Sequence, residues 1–306
     1  MIWRQGGGGC AGRLEKRSDV FIVWRVSAVE GATLTILNLR RRFAWGLSLV
    51  GLSWAIGTQA ATLFTDGFEG GVLSSSSQNG VSWIDSQNVA VSKDVAASGS
   101  YSLKFTFVGG PSGTDAWAEQ RISLPRRNAY WFKYKLYIPS NYYHRSDGAS
   151  NNKFLAVYQS PYLKVNPGFQ VNFSLEPNGS GGSNIEIHHY NNGVEGPVQT
   201  VAQDFITDAD KGKWMDLMMQ VQVPTSATSQ DGIMRLWKNN ELVVDVTNLT
   251  SWGGIDKNYI DQAYFLGWAN SGFAQTTYLY VDDVTIADSP LDVADVPNPP
   301  TNLTVQ

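Results

Sequence analysis

Cysteine is nearly absent from this chain. The 306 residues hold one, Cys10, and it lies in the N-terminal leader region. A mature chain without it can form no disulfide and use no thiol as a nucleophile. Stability outside a cell must then come from a large core or a bound metal, and the length is sufficient for the core. Histidine is scarce as well. His144, His188 and His189 are the full set, which argues against a histidine-rich metal centre. Charged residues make up only 16% of the chain. There is no internal repeat and no long amphipathic helical pattern. The sequence also lacks HExxH, GxSxG, a P-loop and the glycine pattern of dinucleotide-binding folds. A Glu-x-Asp-x-x-Glu strand, which would place the paired carboxylates of a glycoside hydrolase, is missing too.

Aromatics and glycine are plentiful. Phe, Tyr and Trp reach 12%, with 11 Trp and 30 Gly. Short alternating runs separated by Gly, Asn, Asp and Ser predict an all-β fold, an antiparallel β-sandwich with many turns. The formal charge of −4 is unevenly spread. Before Ala61 there are eight basic and three acidic residues; from Ala61 onward, 15 basic and 24 acidic. An acidic body is a poor nucleic-acid binder, so no nucleic-acid partner is expected. Seven basic residues nevertheless fall between Arg121 and Lys153: Arg121, Arg126, Arg127, Lys133, Lys135, Arg145 and Lys153. Asp147 is the only acid among them. That strip predicts an anionic ligand at one site.

Residues 1–39 form no recognisable domain and read as an unstructured extension or a start assigned too early. Residues 40–60 read as a signal peptide. Arg40, Arg41 and Arg42 precede a short apolar core and the small residues at Thr58–Ala61, with cleavage expected after Ala60. The expectation is a secreted or periplasmic protein, not held in a membrane after cleavage, and a monomer. Residues 61–290 carry the β-domain. Residues 291–306 are a Pro-rich linker whose PPTNLTV resembles the start of a fibronectin type III module.

The chain is organised around Ala116–Gln159, which holds three alternating runs. Trp117, Glu119 and Arg121 share one face of the first. In the second, Tyr130, Phe132, Tyr134, Leu136 and Ile138 oppose Trp131, Lys133, Lys135 and Tyr137. In the third, Asn152, Phe154, Ala156 and Tyr158 oppose Lys153, Leu155, Val157 and Gln159. Further on, Glu186, His188 and Tyr190 share a face. Rings stack on sugar faces, and forked donors hold hydroxyls and carboxylates. The expected substrate-binding set is Trp117, Glu119, Arg121, Lys133, Asn152, Lys153 and Asn172.

FTDGFEGG, SGSYSLKFTF, AWAEQR, YWFKYKLYIPSNY, NNKFLAVYQ and LGWANSGF…LYVDDVTI together resemble the concanavalin A-like jelly-roll proteins. Among these they are most similar to the polysaccharide-lyase type: heparin lyase I, glucuronan lyase and the jelly-roll alginate lyases. The likeness runs from Leu63 to Asp288 and implies a jelly-roll fold. It also implies cleavage of a uronic-acid polysaccharide by β-elimination. That reaction needs a carboxylate holder, a base and an acid. The resemblance implies His188 as base, Tyr190 or Tyr158 as acid, and Arg121 with Asn152 or Lys153 on the carboxylate. Ile185-Glu186-Ile187-His188 is similar to a Gln-Ile-His strand of alginate lyases, with Glu in place of Gln. Glu119-Gln120-Arg121 is similar to their Arg-x-Glu strand, reversed. A structural Ca²⁺ held by Glu69 and Asp283 is implied as well. Two other readings stay open: a non-catalytic carbohydrate-binding module, and a structural surface or virion protein.

Overall fold

The computed structural model describes residues 62–148, 151–162, 168–191, 193–254, 256–270 and 272–291. The expected N-terminal extension, signal peptide and Pro-rich linker fall outside the described residues. The strands are β1 (Thr62–Asp66), β2 (Ser82–Gln87), β3 (Val89–Ser92), β4 (Ser102–Phe107), β5 (Ala116–Arg127), β6 (Ala129–Ile138), β7 (Asn152–Tyr158) and β8 (Gln170–Pro177). They continue as β9 (Ser183–Asn191), β10 (Val194–Glu195), β11 (Gln199–Ile206), β12 (Lys213–Gln222), β13 (Gly232–Lys238), β14 (Glu241–Leu249), β15 (Ile260–Ala269) and β16 (Thr277–Ala287). One short 3-10 turn, Asp208–Asp210, is the only helical piece among the described residues. No described helix is long and apolar enough to cross a membrane.

Two antiparallel sheets pack face to face as a jelly-roll sandwich. The front sheet runs β10-β9-β8-β7-β15-β5-β2, with β11 also on β9. The back sheet runs β14-β13-β12-β6-β16-β4-β3, with β1 on β16. Alternation decides which side chains meet between them. Tyr130, Phe132, Tyr134, Leu136 and Ile138 of β6 all point inward and are buried. Ile122, Val157, Phe173, Ile187 and Phe265 reach toward them from the front sheet. Phe265 meets Tyr134 at 4.7 Å and Phe132 at 6.4 Å between ring centroids. Each fully buried ring contributes roughly 1.5–3 kcal/mol, so the core is large enough to stand without disulfides. The Asn-rich hairpin between β13 and β14 turns through Asn239 and Asn240, both at positive φ, as that turn requires.

Two departures from simple alternation shape the front sheet. In β7 the register with β8 shifts between Lys153 and Leu155, and Phe154 and Leu155 both enter the core. The strict two-residue alternation read across this run is therefore broken. In β15, Leu266 (φ 56°) and Gly267 (φ 136°) form a second irregularity. Phe265 and Leu266 both go inward there, and Trp268 emerges on the outer face.

Gly267 is held in a conformation that a side chain resists, and a Cβ there would come within 2.8 Å of the Tyr264 ring. Gly267→Ala is expected to destabilise the fold by about 1 kcal/mol or more. A lowered denaturation midpoint with an unchanged slope would show it.

Candidate functional site

The face of the front sheet that points away from the core is unusually polar. One cross-strand row organises it. Arg121 on β5 pairs with Tyr264 on β15, which pairs with Ala156 on β7. Ala156 pairs with Asn172 on β8, and Asn172 with His188 on β9. Directly opposed residues share a face, so a guanidinium, a phenol, a methyl, an amide and an imidazole stand in line. The row crosses four strand spacings, about 19 Å along the sheet.

Its middle is a tyrosine cluster. Ala156 leaves room above itself, and Tyr162, from the segment after β7, packs there. The Tyr162 ring lies 5.0 Å from Tyr158 and 5.4 Å from Tyr264. Burial raises the Tyr158 hydroxyl far above an ordinary phenol, against the pull of nearby Arg121 and with a further push from Glu119. Burial, then Tyr162, does the same to Tyr264. The Tyr158 hydroxyl makes no hydrogen bond among the described residues. Gln170 Nε2 and Ser174 Oγ on the same face are equally buried and unpartnered. Asn172 is fully buried; the Tyr162 hydroxyl is close enough to its amide to act on it, but no partner reaches it at good hydrogen-bonding geometry. Each such group costs about 1–3 kcal/mol if nothing meets it.

At the β9 end, His188 is held between two carboxylates. Its Nε2 lies 2.6 Å from Glu186 Oε1 and its Nδ1 lies 2.8 Å from Glu195 Oε1. Asn151 Nδ2 is 2.9 Å from the same Glu186 oxygen and 2.8 Å from His188 Nε2. Lys153 Nζ donates to Asn151 Oδ1 at 2.9 Å. Tyr190 donates to Glu195 Oε1 at 3.0 Å, and burial followed by the Glu195 charge pushes its hydroxyl up. Burial pushes the Glu186 carboxyl up, but hydrogen bonds from His188 and Asn151 outweigh it and leave it below the usual range.

At the β5 end, Glu119 is buried and orients two neighbours. Arg121 Nε donates to Oε1 at 2.5 Å, and Trp117 Nε1 donates to Oε2 at 3.1 Å. Burial works against the Arg121 charge, but the bond to Glu119 prevails and keeps the guanidinium protonated more firmly than usual.

The structure thus gathers Trp117, Glu119, Arg121, Lys153, Tyr158, Asn172, His188 and Tyr190 on one face. It places two expected residues elsewhere. Asn152 opposes Leu175 and Ala269, on the core-facing side, because the β7 irregularity changes the parity of that strand. Its neighbour Asn151 takes the place on the outer face. Lys133 lies on β6 in the back sheet, opposite Met218 and Thr285, and so on the far side of the sandwich. The basic strip does not make one site either. Lys135 follows Lys133 to the back sheet, near Asp216. Arg145 pairs with Asp147 at 2.9 Å and Arg127 with Asp288 at 3.1 Å, while Arg126 lies over Tyr259. Asn151, Glu195, Tyr162 and Tyr264 were not among the expected site residues. Asn151 opens the quoted NNKFLAVYQ and Tyr264 lies two residues before LGWANSGF, so these two carried a local signal.

Glu69 and Asp283 do converge on one turn. Glu69 accepts from the Ser100 and Tyr101 amides, and Asp283 Oδ1 accepts from Ser98 Oγ. Calcium takes six to eight oxygens. Here the two carboxylates are engaged by N–H and O–H donors, and no group of three or more His, Cys, Asp or Glu suited to a metal occurs among the described residues.

Comparison with solved structures shows the same jelly-roll fold elsewhere. Alginate lyase vAL-1 from Chlorella virus aligns with a TM-score of 0.53 at 12% identity, covering 75% of this chain and all of that one. A mutant of alginate lyase Aly36B in complex with alginate trisaccharide aligns at 0.47 and 13% identity, covering 62% and 82%. The cellulose-induced protein Cip1 aligns at 0.45 and 16% identity, covering 74% and 97%. These likenesses concern the fold. No curated protein matches the chain. The family model for polysaccharide lyases matches residues 68–285, and the chain belongs to that family.

Proposed function

We propose that this protein cleaves an anionic, uronic-acid polysaccharide by β-elimination on the outer face of the front sheet. The carrying observation is the row Arg121–Tyr264–Ala156–Asn172–His188, which puts a cation, proton-transfer groups and a buried amide around one small residue. A pyranose ring entering over Ala156 takes the place now filled by the Tyr162 ring. Its hydroxyls and carboxylate then supply the partners that Asn172, Gln170, Ser174 and Tyr158 lack.

The chemistry follows from the donors. Arg121 reaches in from one side and Asn172 lies beneath; together they draw charge off the sugar carboxylate and make the neighbouring C–H acidic. His188, oriented through Nδ1–H by Glu195, takes that proton at Nε2 after its own Nε2 proton has passed to Glu186 and Asn151 and Glu186 have turned to the incoming sugar. Tyr158 gives its proton to the departing glycosidic oxygen. Its raised affinity for that proton keeps it a phenol at neutral pH, as an acid must be. Lys153 holds Asn151 in place. Secretion through the segment at 40–60 is part of this proposal, since a polymer of this kind is met outside the cell. Calcium enters it only as a structural ion at Glu69 and Asp283, whose oxygens would have to exchange their present donors. A thermal midpoint raised by CaCl2 and lowered again by EDTA would support that ion.

Three results test the reading. Mixed with alginate, polyglucuronate, heparin and polygalacturonate, the protein should raise ultraviolet absorbance with at least one, because elimination leaves a conjugated double bond. A flat trace from folded protein removes the proposal. Tyr158→Phe should lower kcat by about 100-fold or more and leave thermal stability unchanged or slightly higher, because the lost hydroxyl has no protein partner. A stability loss with kcat intact would make Tyr158 structural. Phenols whose proton affinity is raised stay neutral past their ordinary titration point near 10. The pH–rate profile should therefore show no alkaline fall below about pH 10.

A further inference from the structure

Two tryptophans on the same face are not used by this chemistry. Trp117 on β5 and Trp268 on β15 are direct cross-strand partners. Their rings lie 5.7 Å apart, tilted by 46°. They stay 36% and 43% exposed in a molecule whose other large aromatics are mostly buried. Neither exposure is accidental in geometry. The Trp117 indole N–H is tied to Glu119 Oε2 at 3.1 Å and the Trp268 indole N–H to Asp115 Oδ2 at 2.9 Å. Each polar edge is fixed, so the ring faces remain for another partner. The register with β5 runs unbroken from Tyr264–Arg121 to Trp268–Trp117, so both indoles stand on the outer face in phase with the polar row.

The surroundings point to the kind of partner. A cavity of about 200 Å³ adjoins Trp117, lined by Asp85, Ser86, Gln87, Glu119 and Arg121. On the Trp268 side, Asn270 donates to Asn151 at 3.2 Å, continuous with the His188 cluster. Flat apolar rings with amide, carboxylate and guanidinium groups at their edge suit a pyranose, which has C–H faces and hydroxyl rims. Trp117 sits four residues along β5 from Arg121, about 13 Å. That is further than one sugar ring spans.

We propose that Trp117 and Trp268 form a stacking subsite for a sugar unit of the same polysaccharide, beyond the unit that reacts. Glu119 is its positioning residue, since one buried carboxylate fixes both the Trp117 ring and the Arg121 guanidinium. The inference rests on the lyase reading for its ligand and deepens it: the enzyme prefers long chains to short ones.

The test uses Trp117→Ala, Trp268→Ala and Trp268→Phe in the full chain, each checked for an unchanged melting temperature. On the polymer that wild type cleaves, the ratio of kcat/KM for polymer to kcat/KM for its trisaccharide should fall about tenfold in the alanine variants. The loss should sit mainly in KM and be largely restored by Trp268→Phe. A ratio that stays at the wild-type value overturns the subsite, whether or not overall activity drops. Affinity electrophoresis through gels containing each polymer separates this outcome from failure of the lyase reading. If wild type cleaves nothing, retardation that both alanine variants lose still supports the subsite. Equal retardation of wild type and variants, or none for wild type, overturns it.

Discussion

The register of five strands holds the rest together. β5, β15, β7, β8 and β9 are aligned so that Ile122, Phe265, Val157, Phe173 and Ile187 lie inward together. That alignment stands Arg121, Tyr264, Ala156, Asn172 and His188 outward together. A slip of one residue in these strands would exchange the two sets: in β5 or β9 it would bury Arg121 or His188, and in β8 or β15 it would expose Phe173 or Phe265. The apolar core therefore fixes the polar row. The chain spends its aromatic residues to lock the sandwich and leaves the outer face of one sheet free to carry chemistry.

The two irregularities refine that plan. Each lets one strand feed two consecutive side chains into the core, at Phe154–Leu155 and at Phe265–Leu266. The first also moves site residues: it puts Asn151 and Lys153, not Asn152, beside His188. The second leaves the register with β5 unbroken, and Trp268 stays beside Trp117 on the outer face. Irregular backbone next to a binding face is a common way to re-aim side chains without losing the core. The buried but unpartnered groups on β8 fit the same picture. A sheet face built only for stability would not leave the Gln170 amide and the Ser174 hydroxyl, and beside them the Tyr158 phenol of β7, without hydrogen-bond partners.

The fold was legible because the alternating runs were long and strongly contrasted. Five inward aromatics and aliphatics in β6 left no doubt about strand or face. Local pattern does not say which sheet a strand joins. β6 follows β5 in sequence and carries a similar mix of rings and cations, yet it belongs to the back sheet. Lys133 went with it. Asn152 was misplaced because one added residue reverses parity, and nothing in NNKFLAVY marks where. Asn151, Glu195 and Tyr162 sit at strand margins or in connections, where position comes from tertiary packing. His188, Tyr190 and Arg121 were legible because each lies inside a regular strand whose outward phase was set by its neighbours.

The most direct test of the account is a crystal structure of the Tyr158→Phe variant with a bound oligouronate. The account predicts a sugar ring over Ala156, between Arg121 and His188, with the Tyr162 ring displaced and the Asn172 amide hydrogen-bonded to the sugar. Density for the oligosaccharide on the back sheet, or on the front sheet with Tyr162 still seated on Ala156, would contradict it.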